Sequence, residues 1–284
     1  MRRTRAAIAT VVAAVAVSAA AAGFVVAAGS VTPSRAAIFD VTVPTVAPSP
    51  APLPPRPDAT NVALWGDSIG VETAGELAPE LQRRGVPFEA HTHGGTAPCE
   101  WLDDFRANVT AGHYSNIALL FVGNPWGACT QPYGRMAVGH ELINIYRNDV
   151  TEMVRLALAS GARVHIVTPP AMDRRQHEPL DVVAAMLANE VYRPLAAAHP
   201  DRVDIVETAA ALGSRFRATD RCRADETDVC SPDGTVRLRT GDGVHLCPID
   251  PRRFYTDPTT CPVVSPGARR LAGLVLGALF ADAR

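Results

Sequence analysis

The sequence predicts an α/β domain of three layers, with a mostly parallel central sheet between two layers of helices. Three observations lead there. From residue 59 onward, short apolar segments alternate with amphipathic ones, the order that crossover helices impose on a parallel sheet. Residues 116–122 form a continuous apolar run, as a strand covered on both faces requires. Gly66-Asp67-Ser68-Ile69-Gly70 falls where the first apolar strand gives way to a helix.

The elements follow in order. Residues 61–65 read as a short apolar strand and 71–84 as a helix, with Gly85 as its stop. Strand two spans 87–93 and strand three 116–122. A long helix at 141–160 ends before Gly161. Strand four, 163–168, is halted by Pro169-Pro170; residues 180–198 are helical, 202–206 form strand five, and 266–281 form a closing helix. Residues 212–264 show little periodicity but hold four cysteines, so order there is expected to come from disulfides. No internal repeat is visible.

Composition narrows the function. The chain has 284 residues and a formal net charge of −2, which does not suit a nucleic-acid surface. It contains no lysine, which excludes a P-loop lysine, a Schiff base and a Ser-Lys dyad. Arg2, Arg3 and Arg5 precede the uncharged stretch 6–34, the pattern of an export signal that is also long enough to span a bilayer. Residues 1–34 are therefore read as a signal peptide or an N-terminal membrane anchor. Half of residues 44–57 are proline, a semi-rigid segment reaching some 40 Å at about 3.1 Å per residue, so 35–58 reads as a linker. Residues 59–284 form the domain, placed outside the cytoplasm, secreted or tethered.

Six cysteines, all after the export segment, fit that oxidising placement. The expected pairs are Cys99–Cys129, Cys222–Cys230 and Cys247–Cys261. With no C-x₂-C pair, zinc is not expected.

The chemistry centres on Ser68. A serine between a strand and a helix lies at the carboxyl edge of a parallel sheet, where open α/β folds bind ligands. Gly66 and Gly70 allow a tight turn, and the helix N-terminus offers N–H groups to a developing anion. A plain helix cap is the competing reading of this serine. Asp242-Gly243-Val244-His245 supplies a base and an acid three residues apart. Together the two motifs hold the nucleophile, base and orienting acid of a serine esterase. The five-residue motif also fits a G-x-S-x-G nucleophile elbow. In α/β-hydrolases, however, that serine follows several strands rather than the first.

Four blocks in order resemble the SGNH, or GDSL-type, serine hydrolases. They are Gly66-Asp67-Ser68, His93-Gly94-Gly95-Thr96, Gly123-Asn124 and Asp242-x-x-His245. The resemblance spans most of residues 60–284 and implies a flavodoxin-like α/β/α fold. It implies that Ser68, Asp242 and His245 are catalytic. The oxyanion hole would comprise Ser68 N–H, Gly95 N–H and the Asn124 amide. Asp67, Gly94, Gly123 and Trp126 become candidates for the substrate pocket. No metal or organic cofactor is implied.

The run Gly94–Cys99 with Trp101 is similar to SGNH domains of bacterial envelope acyl-modifying proteins. That likeness implies O-acetyl or short-acyl esters on envelope polysaccharide as substrate. A lipase or general carboxylesterase, an O-acyltransferase with the same triad, and a non-catalytic glycan-binding module are the alternatives. Trp101 and Tyr133 are further candidate pocket walls. His91 and His93 are expected near the site mouth, and Arg174 and Arg175 are candidates for an anionic substrate.

Overall fold

A computed structural model describes residues 61–111, 114–248, 261 and 263–281. The export segment and the proline-rich linker lie outside the described residues. Strand β1 (Val62–Gly66) is the axis of the sheet. Its neighbours are β2 (Phe88–Thr92) and β3 (Asn116–Leu120), followed by β4 (Arg163–Val167) and β5 (Val203–Val206). The order is β2-β1-β3-β4-β5 and every pairing is parallel.

Strand alternation divides the core in two. Val62 and Leu64 of β1, with Ala118 and Leu120 of β3, face helices α1 (Ser68–Arg83) and α7 (Pro266–Leu279). Ala63, Trp65, Ile117 and Leu119 face α2 (Pro98–Thr110) and α3 (Gly139–Ser160). Residues on β1 are buried without exception, since both faces are covered. Each fully buried Leu or Val contributes about 1.5–3 kcal/mol of burial energy, so both faces stabilise the sheet. No helix among the described residues is long and apolar enough to cross a membrane.

The structure corrects several boundaries. Helix α1 begins at Ser68, three residues earlier than periodicity indicates, because the buried Asp67 side chain caps it by accepting from Ile69 N–H at 3.1 Å. Helix α2 was not expected. Its first turn carries Pro98 and Glu100, and the Glu100 carboxylate accepts from Ala97 N–H at 2.8 Å. Helix α4 (Arg174–Leu187) starts six residues before the sequence expectation, capped by Asp173, and kinks at His177 just before Pro179. A π turn at Ala188–Tyr192 joins it to α5 (Arg193–Ala198).

The stretch after residue 212, beyond the short α6 (Ala209–Leu212), contains an antiparallel pair, β6 (Thr219–Arg221) with β7 (Thr235–Arg237). The Cys222–Cys230 disulfide closes the loop between these strands. Arg270 of α7 holds it from below: Nε donates to Glu226 at 2.6 Å and Nη1 to Asp220 at 2.8 Å. Removing one partner from so buried a pair typically costs about 3–5 kcal/mol, which explains order in a segment without apolar periodicity.

The chain leaves β1 toward β2, then crosses back to β3 on the other side. This is the doubly wound order 2-1-3-4-5, and its switch point lies between the carboxyl ends of β1 and β3. Ser68 follows the first of these strands and Gly123-Asn124 the second.

Candidate active site

Gly66 is required where β1 meets β3, because a Cβ there would stand 2.6 Å from the Leu120 carbonyl oxygen. This close approach lets Asp67 reach across. One carboxylate oxygen accepts from Ile69 N–H at 3.1 Å and the other from Val122 N–H at 2.8 Å. The two loops that flank the crevice are thereby joined. Burial pushes the Asp67 carboxyl up to about 6 despite these N–H groups. Ser68, the first residue of α1, then projects into the crevice, and its own N–H has no acceptor within the helix.

Asp242 and His245 form a tight turn. One Asp242 oxygen accepts from Thr240 Oγ1 and from Val244 and His245 N–H at 2.9 and 3.0 Å. The other lies 2.6 Å from His245 Nδ1, and His245 Nε2 lies 2.9 Å from Ser68 Oγ. An imidazole between a carboxylate and a hydroxyl carries its proton on Nδ1 and accepts at Nε2. Burial opposes the Asp242 charge, but the hydrogen bonds from His245, Thr240 and Val244 N–H override it and hold the carboxyl far below its ordinary range. Burial likewise opposes the imidazolium. Its bond to Asp242, with the charges of Glu72, Asp242 and Asp67, outweighs that and raises the His245 pKa.

Four residues hold this turn in place. Arg239, almost wholly buried, donates to the Val244 carbonyl at 2.5 Å and the Ala171 carbonyl at 2.9 Å. From the start of α4, Asp173 N–H donates to the Gly243 carbonyl at 3.0 Å, and His177 Nε2 sits 2.6 Å from the Asp242 carbonyl. From α1, Glu72 accepts the N–H groups of Leu246 and Cys247 at 2.7 and 3.2 Å.

Opposite the serine stand Gly95 and Asn124. Gly95 has φ +82°, and a Cβ there would lie 3.8 Å from Asn124 Nδ2. Asn124 Oδ1 accepts from Trp126 N–H at 2.9 Å, which turns the amide NH₂ toward the glycine. Trp101 pins this wall: its Nε1 donates to Thr96 Oγ1 at 3.0 Å, and Thr96 Oγ1 donates to the His93 carbonyl at 2.8 Å. The Cys99–Cys129 disulfide ties the same wall to the loop beyond Asn124.

The resulting cavity measures about 360 Å³ and is lined by Ser68, Gly94, Gly95, Gly123, Asn124, Asp242 and His245, with Val71, Val122, Trp126, Met172, Leu180 and Val244 as apolar walls. Three pocket expectations fail. Asp67 is wholly buried and shapes the crevice from beneath, since its carboxylate is consumed by backbone N–H groups. Tyr133 is 97% exposed and Trp101 packs behind the glycine turn, so neither lines this cavity.

His91 of β2 and His93 just beyond it separate. His93 reaches the cavity, whereas His91 stacks on Trp65 at 4.2 Å between ring centroids and pairs with Asp104. Arg174 and Arg175 lie outside the cavity, paired with Asp181 and Asp173. All three expected disulfides form. Among the described residues, no group of three His, Cys, Asp or Glu side chains is placed to hold a metal ion.

Fold and side chains together define an α/β protein of the doubly wound class, with a Ser-His-Asp row at its crevice. Residues 42–233 match the family model described as the SGNH domain (fused to AT3 domains), and the chain belongs to that family. The match ends before Asp242 and His245, which the fold carries back to Ser68.

Among solved structures, a lipase/acylhydrolase from Enterococcus faecalis is similar with a TM-score of 0.51 at 14% identity, over 77% of this chain and 94% of that one. An acetyl xylan esterase gives 0.51 at 15% identity, over 77% and 98%. An α/β hydrolase from the metagenome of Lake Arreo, Spain, gives 0.51 at 12% identity, over 78% and 94%. At these identities the likeness is one of fold. No curated protein matches the chain in sequence.

Proposed function

We propose that the protein is an extracytoplasmic serine esterase that cleaves acyl esters through a Ser68 acyl-enzyme. The observation that carries this reading is the unbroken row Ser68–His245–Asp242, at 2.9 and 2.6 Å, opening into an apolar cavity beside Gly95 and Asn124.

Ser68 Oγ attacks the ester carbonyl carbon while His245 Nε2 takes its proton. Asp242 holds the imidazole tautomer and balances the imidazolium. The oxyanion meets Ser68 N–H, Gly95 N–H and the Asn124 amide, preorganised donors beside a largely apolar cavity. As the tetrahedral species collapses, the bond to the alcohol oxygen breaks and His245 returns the proton to it. Water then attacks the acyl carbon, giving its proton to His245; the bond from that carbon to Ser68 Oγ breaks, His245 returns the proton to Oγ, and the carboxylic acid leaves.

The substrate we favour is an O-acetyl or other short acyl ester of an envelope glycan. The resemblance of residues 94–101 to envelope acyl-modifying domains supports it, as does the fold shared with an acetyl xylan esterase. The N-terminal basic and apolar pattern and the three disulfides support the placement outside the cytoplasm. One observation favours a second reading, a lipase or general carboxylesterase. An apolar cavity of about 670 Å³, walled by Pro125, Met136, Val138, Leu142 and Val182, adjoins the first.

Hydrolysis of p-nitrophenyl acetate, with fluorophosphonate labelling, tests the proposal. Turnover and labelling by the wild type, both lost in Ser68→Ala, are expected. Equal turnover by the two proteins would remove Ser68 from the chemistry.

A further inference from the structure

Ser68 and Glu72 stand four residues apart on α1, one helical turn, so both face the His245 loop. Glu72 is only 2% exposed, a costly position for a carboxylate. It offers one oxygen to Leu246 N–H at 2.7 Å and the other to Cys247 N–H at 3.2 Å. Leu246 and Cys247 are themselves wholly buried and directly follow His245. Each N–H group has its own carboxylate oxygen here, and a glutamine amide held in the same place would turn its own NH₂ against one of them.

We infer that Glu72 is a positioning residue of the esterase site. It fixes the strand of loop that carries His245, and its buried charge supports the imidazolium that forms when Ser68 is deprotonated. The inference rests on the proposed Ser68–His245 chemistry. On this arrangement the imidazole meets acids from two sides. Asp242 contacts Nδ1 from its own loop, while Asp67 and Glu72 act from the N-terminal turn of α1. Arg239 and His177 touch the same loop through its carbonyls at Val244 and Asp242. Burial pushes the Glu72 carboxyl up, and the His245 charge and the two N–H groups only partly oppose this; that both oxygens accept N–H groups is the geometry of an ionised carboxylate.

The test compares full-length wild type, Glu72→Gln and Glu72→Asp. The His245 midpoint is read by NMR of ε1-¹³C-histidine protein, with His245→Gln as the assignment reference. In Glu72→Gln the midpoint is expected to fall by about half a pH unit or more, because a negative charge near the imidazolium is gone. The acidic limb of kcat/KM should fall with it. A merely structural glutamate would leave the midpoint where it is, and an unmoved midpoint overturns the electrostatic role.

Glu72→Asp keeps the charge but cannot span both N–H groups. Its fluorophosphonate labelling is expected to slow about tenfold, the effect of a slightly misplaced catalytic group. Labelling at the wild-type rate would overturn the positioning role even if Glu72→Gln does not fold. Should Ser68→Ala turn over ester like the wild type, the esterase reading fails by itself, while the NMR midpoints still decide whether Glu72 supports the His245 charge.

Discussion

The Asp67 carboxylate and the Val122 amide, 55 positions apart in the chain, are joined by a buried 2.8 Å hydrogen bond. That bond links the turn bearing Ser68 to the loop bearing Asn124, and the second Asp67 oxygen caps α1. Asp67→Ala strands two buried N–H groups and is expected to lower stability by about 2–4 kcal/mol. Activity should fall further than stability explains, because the serine and the amide lose their common brace. Urea denaturation beside kcat measures both. An Asp67→Ala protein of wild-type stability would contradict the bracing role.

The same residue makes a pH prediction of opposite sign to the usual carboxylate. Its folded pKa, about 6, lies above the unfolded value, so ionisation is harder in the native state. Its contribution to stability therefore declines as pH rises from about 4 to about 6 and is constant above that. Asp67→Asn cannot ionise, and its stability curve should lack this slope.

The parallel sheet and the Ser68, His245 and Asp242 positions were legible because they depend on local signals. A continuous apolar run marks a strand buried on both faces, and short motifs mark the turns. The misread parts depend on contacts distant in sequence. Helix α2 buries only Pro98, Phe105 and Val109 fully, too few apolar positions to raise a clear periodicity. Glu72 reads as an ordinary helix-surface acid until the fold brings Leu246 over it. Asp67 was misplaced for a related reason. Adjacency to Ser68 suggests the pocket, but at the strand-to-helix turn the two side chains diverge, one into the core and one into the crevice.

On the proposed mechanism, Asp242 and His245 set the pH dependence of catalysis. The His245 pKa lies above its ordinary value of about 6.5, so kcat/KM should rise with pH and level off above neutrality. The ion pair stabilises the fold fully between about pH 4 and 6.5; that contribution is lost as pH rises through the folded His245 pKa and also as pH falls below about 4 toward the depressed Asp242 pKa. Asp242→Asn removes the carboxylate, lowers the His245 midpoint and is expected to reduce kcat about 10³–10⁴-fold. A pH–rate profile of both proteins checks this. A profile unmoved by the substitution would separate Asp242 from His245.

The Cys247–Cys261 disulfide anchors the chain two residues beyond His245. It closes a loop of 14 residues in sequence separation, for which loop-closure entropy gives about 3 kcal/mol. Cys261→Ser should therefore lower the midpoint of urea unfolding and also slow fluorophosphonate labelling, since Cys247 N–H is one of the two groups held by Glu72. Loss of stability with labelling unchanged would show that the loop keeps His245 in register without the disulfide.

If the site takes acyl esters as proposed, Trp126 is expected to decide how long an acyl chain it accepts. It lines both apolar cavities with His177 and Leu180, so these three side chains form the wall between them. Trp126 is also 56% exposed, so its ring is the least supported part of that wall. With the wall in place, short p-nitrophenyl esters are expected to give the highest kcat/KM. Trp126→Ala should join the cavities and let a longer chain enter the second one. Each further methylene buried there contributes about 0.8 kcal/mol, roughly fourfold in kcat/KM, so two or three of them shift octanoate over acetate by about 15- to 60-fold. A chain-length series on both proteins measures the shift. Wild-type protein that already favours octanoate over acetate would mean that the wall does not exclude the chain, and would move the substrate from short glycan esters to lipids.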